Sequence, residues 1–368
     1  MTLGWMMWDM THSESWLGML AFLMFFPTIL VGPLFGVMVD RINRRQAAVV
    51  TSIILGLLSL LLSLLVWKQL VNELMLLFFA LGIGLANSAY QSIRLSLVPE
   101  LVSVSNMPKA VAINAILYNT SRFIGPVIAG LLIQYGGNAV AFAVVSACYI
   151  PLIFVLLLLK LDNCQREYGV EQFTFFMDIK AGLSYAINFD LILRLLMLIA
   201  VSAILGRGLL EILPAAVDVL YGRGVEGLAW LNSAAGAGAI IAGLLLSSSN
   251  STRLLLATRL GVITSGLLLV MFSFTSSFEL GLLMVGGLSF CATVCGVGTQ
   301  SLIQVSVESA FRGRVMSLWG SINVGGGALG GLLFGVFTEF MGYSFTLVTL
   351  GLLSIFIAYF ASRHIVFP

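Results

Sequence analysis

Gly36-Val-Met-Val-Asp40-Arg41-Ile-Asn-Arg44-Arg45 is the stretch on which the fold turns. It closes one apolar run, residues 17–38, and leads into a second, residues 47–67. Each run has about the 20 residues that a helix needs to cross a bilayer. Three arginines on so short a connection belong on the cytoplasmic side of a membrane, where they hold to the anionic inner leaflet. Gly36 allows close helix approach, and Asp40 can cap a helix or pair across the bundle.

Outward from this loop the pattern repeats. Further apolar spans fall at 73–94, 108–135, 138–160, 191–213, 226–248, 253–274, 279–301, 313–340 and 343–362, which makes eleven. Of 368 residues 60% are apolar and 9% charged, against roughly 25% charged in a soluble domain. The mean hydropathy is +1.07. These values exclude a soluble enzyme, a disordered tail and a nucleic-acid binder, which needs a basic surface; the net charge is only +2. The fold class is therefore an all-α polytopic membrane protein. Met1–Met10 is half a crossing, followed by a polar turn at Thr11–Ser15. It is expected to be a truncated first helix, with about ten or more apolar residues upstream. No signal-peptide pattern is visible.

With Asp40–Arg45 inside, alternation places fourteen of the 18 Lys and Arg residues at the cytoplasmic face. Lys68 and Arg223 fall outside, and Arg122 and Arg207 within the membrane. The C-terminus is expected in the cytoplasm. The longest polar stretch, 161–190, reads as a cytoplasmic linker with a short helix near Phe176–Ile187. It separates an N-terminal half, 1–160, from a C-terminal half, 191–368. The halves repeat at an offset of 201, where Ala129-Gly-Leu-Leu132 matches Gly330-Gly-Leu-Leu333 and Arg122 pairs with Asn323. Such repeats suit transporters that rock two halves about a midplane site.

Inside the spans, Ser121-Arg122-Phe-Ile-Gly125-Pro126-Val-Ile-Ala129-Gly130 combines small packing residues with a proline that can kink the helix. It reads as a bendable gate or as a plain packing face. Arg122 is costly at this depth, so a structural partner or an anionic substrate is expected beside it. Arg207 and Glu211, four apart, share a helix face in the outer half of their span. Either they form an ion pair, or Glu211 carries a proton. Asp9 and Glu339 fall near outer ends, and Asp218 and Glu226 in a loop. Asn87, Tyr90 and Gln91, and Thr293, Thr299 and Gln300, are either cavity groups or helix–helix hydrogen bonds. The four cysteines show no CxxC spacing, the two histidines make no metal site, and no lysine follows a glycine as a Walker A loop requires. No cofactor and no metal are expected.

The 36–45 loop resembles the major facilitator superfamily signature G-x-x-x-D-R-x-G-R-R/K, with Asn43 in place of the second Gly. Asn tolerates a left-handed backbone, so the turn is expected to survive. The 121–130 stretch resembles the antiporter signature of the same superfamily. With the THS turn, Leu97–Glu100, Gly206–Pro214 and Gly313–Trp319, the whole chain is similar to the drug:proton antiporter-3 branch, which includes enterobactin and macrolide exporters. The resemblance implies two six-helix halves, with the first, fourth, seventh and tenth helices lining a cavity that would include Asn87, Tyr90, Gln91, Thr293 and Gln300. It implies proton-coupled efflux of a small amphipathic molecule, a drug or siderophore, by a monomer in the inner membrane surrounded by lipid. Uptake by symport, a lysophospholipid flippase and a non-transporting membrane sensor or scaffold stay open. Gly36, Asp40, Arg41, Arg44 and Arg45 would gate, Gly125, Pro126 and Gly130 would flex, and Glu211 would carry the proton.

Overall fold

The structure is a computed structural model that describes residues 1–30, 43–102, 106–159, 183–246 and 251–362. Gly36, Asp40, Arg41 and most of the expected linker lie outside the described residues.

All regular structure among the described residues is helical. In chain order the long helices are α1 (Thr2–Thr11), α2 (Glu14–Leu30), α3 (Arg44–Trp67), α4 (Glu73–Leu101), α5 (Met107–Leu158), α6 (Asp190–Ser202), α7 (Gly208–Tyr221), α8 (Gly224–Leu246), α9 (Ser251–Ser273), α10 (Phe278–Ser306), α11 (Ser309–Met341) and α12 (Tyr343–Ser362). Residues 183–188 add the end of the expected linker helix. A π turn, Ala203–Arg207, joins α6 to α7 as one crossing.

Nine described helical stretches are long and apolar enough to cross a membrane, against eleven expected. Two causes account for the difference. The spans 108–135 and 138–160 run together as Ile116–Leu158, interrupted at Gly137, whose φ of 76° is left-handed and free for glycine. The span 17–38 is described only as far as Leu30.

Local chemistry sets the ends. Asn72 and Ser277 cap α4 and α10 through their side chains, accepting from Met75 N and Leu280 N. Asn43 does the same for α3, accepting from Gln46 N at 3.1 Å. Its φ of −66° is extended rather than left-handed. The expected tolerance of a left-handed turn is therefore not what this residue supplies; an Asn side chain caps, as a Gly cannot. Arg44 and Arg45 also turn inward. Arg44 Nη1 donates to Ser96 O at 3.4 Å, and Arg45 donates to the carbonyls of Leu156 and Leu157. Arg45 thereby neutralises the negative end of α5, while Arg44 ties α3 to α4.

Large apolar side chains cover the outside of the bundle: Phe78, Leu283 and Phe340 are each more than 70% exposed. Only a lipid solvent tolerates such a surface. The first six helical segments meet the rest at two seams. α2 lies against α11, with Gly18 and Gly335 at the closest approach, and α8 crosses the first part of α5, with Gly236 against the backbone of Arg122 and Phe123. Small residues let helix backbones touch where lipid offers no hydrophobic drive.

Candidate functional site

The polar residues of the spans gather at two places beside these seams. The first is the junction of α2, α7 and α11. A Cβ built on Gly327 would stand 3.5 Å from Arg207 Cβ, and one on Gly331 would stand 3.2 Å from Glu211 Cβ. Arg207 and Glu211 therefore share the face of the seventh crossing that looks onto α11, as their spacing predicts. They are not an ion pair, since the described groups do not approach within 4.0 Å. Arg207 Nη1 donates instead to Asn323 O at 3.4 Å, and its guanidinium lies 5.9 Å from the Phe25 ring of α2. Gly331 also meets Ala21 of α2, so Glu211 sits where the two parts of the chain touch. The π turn that ends at Arg207 adds a residue to the helix; such bulges recur at functional sites.

One placement is corrected here. The seventh crossing runs to Tyr221, past Pro214, and Gly222, with φ 60°, stops it. Asp218 is thus helical, not in a loop, and accepts from Trp8 Nε1 of α1 at 3.0 Å. Arg207 stands close to the middle of Asp190–Tyr221, just on its outer side. Glu226 is in the first turn of α8.

The second place is a cavity of about 400 Å³ between α1, α5, α7 and α8, lined by Met1, Thr2, Ser121, Arg122, Gly125, Pro126, Ala129, Leu210, Asn232 and Ala235. Arg122 lies over the Tyr118 ring at 5.9 Å. No carboxylate of the described residues pairs with it. Pro126 has no N–H to offer the Arg122 carbonyl four residues back, and Gly236 of α8 packs against that oxygen. Gly125 faces open space, whereas Gly130 packs on Ala229. Leu210 and Asn232 were not foreseen. Asn232, a lone amide in an otherwise small and apolar span, was the signal available.

The remaining expected groups are not among the described residues that line this cavity. Asn87 and Gln91 are exposed, and Tyr90 and Gln300 half-buried. Thr293 donates to Ser289 O within its own helix, at 2.8 Å. Thr299 is buried, donates to Cys295 O and accepts from Trp319 Nε1 at 2.9 Å, which ties α10 to α11.

A third cluster closes one end of the bundle. Ser13 Oγ and Ser15 N both donate to Glu339 Oε2 at 2.7 Å. A carboxylate on α11 thus caps the N-terminus of α2. His12 makes the preceding turn with φ 46°.

The whole chain, residues 1–368, matches the family described as transmembrane secretion effector. The enterobactin exporter EntS of Escherichia coli O81 (strain ED1a) is 28% identical over 349 residues, covering 89% of this chain and 77% of that relative. Among solved structures, a bacterial homolog of the human lysosomal transporter Spinster, inward-facing and occupied, superposes with a TM-score of 0.73 at 16% identity, covering 98% of this chain and 93% of that one. A mutant of the nucleoside transporter NupG gives 0.71 at 13% identity, with the same coverage. At these identities the two structures speak for the fold alone.

Proposed function

Because the chain belongs to the transmembrane secretion effector family of major facilitator transporters, we propose that this multi-pass membrane protein exports a small amphipathic molecule, of the drug or siderophore class, by proton-driven alternating access. Residues 1–160 and 191–368 act as two rocking halves joined by 161–190. The protein works as a monomer in the bacterial inner membrane, with its C-terminus in the cytoplasm, as the placement of Lys and Arg favours.

The observation that carries this reading is Glu211, a membrane-embedded carboxylate on the seam between the halves, about one turn beyond the π turn. A charge is costly there and a neutral acid is not. Proton uptake at Glu211 changes the charge of the seam itself, so it can bias which way the halves lean. The Ser13–Glu339 and Trp8–Asp218 contacts hold the halves together at the α1–α2 turn, opposite the end that carries Arg44 and Arg45. Closure at that end supports a carrier that opens toward the cytoplasm. The cavity at Arg122 counts against a sealed scaffold. The EntS relative favours export over uptake, with a siderophore as trial cargo.

Purified protein in liposomes with an imposed pH gradient and enterobactin as trial cargo tests the reading. Gradient-driven movement is expected from the wild type and not from Glu211→Gln. An equal rate with unchanged pH dependence in Glu211→Gln removes the proton role. No movement of enterobactin by the wild type removes the siderophore as cargo.

A further inference from the structure

We propose that the cavity between α5 and α8 recognises organic anions, with Arg122 as the residue that binds the negative head group. The proposal deepens the transporter reading and rests on it for its physiological meaning, though not for its test. Arg122 is fifteen residues from Met107 and fifteen from Gly137, about 22 Å from either end of that helical stretch at 1.5 Å per residue. It is therefore at the depth where an uncompensated cation is least tolerated. Mid-membrane arginines are ordinarily held by a carboxylate or by carbonyls. Here the described structure offers only the Tyr118 ring beneath it.

The opposing groups sharpen the point. Glu211, the embedded carboxylate next to Leu210 in sequence, packs its Cβ and Cγ on Gly331 of α11, and Arg122 is the one charged side chain among the described residues that line the cavity. Asn232 donates one amide hydrogen to Leu228 O at 3.0 Å, which leaves its carbonyl oxygen to accept from a ligand hydroxyl. Pro126, Ala129, Leu210 and Ala235 supply the apolar wall. The cavity, at about 400 Å³, is in the range of small-molecule sites. A planar guanidinium at one end and an apolar wall along the side match a ligand with an anionic head and an aromatic or aliphatic body. Among the described lining residues none offers a cationic cargo an acidic side chain.

Isothermal titration of the purified full chain in nanodiscs with 2-naphthoate and with its neutral isostere 2-naphthamide reads this directly. The wild type is expected to bind the acid at least tenfold more tightly than the amide. Arg122→Gln is expected to abolish that preference while leaving amide binding unchanged, and Arg122→Lys to keep most of it. Equal affinity for acid and amide in the wild type overturns the proposal without any variant. So does a Arg122→Gln variant that keeps the preference or loses both ligands alike. Should Arg122→Gln fail to stay monodisperse, the wild-type comparison and Arg122→Lys decide. Anion-selective binding without movement in liposomes would overturn the transport reading and leave this site standing; movement without anion selectivity would overturn only the site.

Discussion

Glu339 shows how much one side chain can do when it reaches across a seam. Its Oε2 accepts from both Ser13 Oγ and Ser15 N, so a single carboxylate caps a helix from the other part of the chain. Charge-assisted bonds are roughly twice as strong as neutral ones, but this group is near the surface, where water competes. Glu339→Gln is expected to weaken closure at this end by about 1 kcal/mol, roughly a fivefold change in the open-to-closed ratio. Maleimide labelling of a cysteine at position 15, whose backbone N–H still donates to Glu339, in a background lacking the native cysteines, would then speed up about fivefold; an unchanged rate would show that the carboxylate does not hold the turn. The sequence placed Glu339 near an outer end, and the THS turn was recognisable. That they bond each other was not legible, because 326 residues separate them. Likewise Arg207 and Glu211 were readable as one face, but their partners, Asn323 O and Gly331, are set by where α11 lies.

α11 is the element on which the packing depends. Gly326 and Gly330 face the π turn, at Ala203 and Ile204, while Gly331 and Gly335 face α2. Side chains on both flanks of the helix would hold its neighbours apart. Gly330→Ala places a Cβ on the Ile204 carbonyl and against Gly208. It is expected to cost about 1–3 kcal/mol and to lower the thermal midpoint of the detergent-solubilised protein. Gly320→Ala, on the same helix with nothing within 4 Å, is expected to be neutral or stabilising by up to about 1 kcal/mol through helix propensity. Equal midpoints for the two would mean that α11 is not wedged as described. The internal repeat foretold that 122–132 and 323–333 are counterparts, and the structure uses both as seam helices, α5 against α8 and α11 against α2. Element ends were less legible. The span 191–213 ended just before Pro214, yet a proline within a membrane crossing is tolerated where neighbouring helices satisfy the freed carbonyl, and the helix continues seven residues beyond it to Tyr221.

At the scale of the molecule, rocking requires the α1–α2 end to open and close. A disulfide between cysteines introduced at positions 13 and 339 is expected to halt transport in liposomes, and reductant to restore it. Transport that survives complete cross-linking would exclude alternating access through this end. The class of protein was determined by sequence alone: apolar runs of spanning length, arginines on alternate connections and the 36–45 and 121–130 signatures suffice, because hydropathy and charge act locally and a bilayer admits few architectures. The seams, the cavity around Arg122 and the cap from Glu339 were decided only by tertiary structure. They depend on which helix backbones approach within contact, and that is settled by glycines and carbonyls hundreds of residues apart, for which no local pattern in the chain encodes the partner.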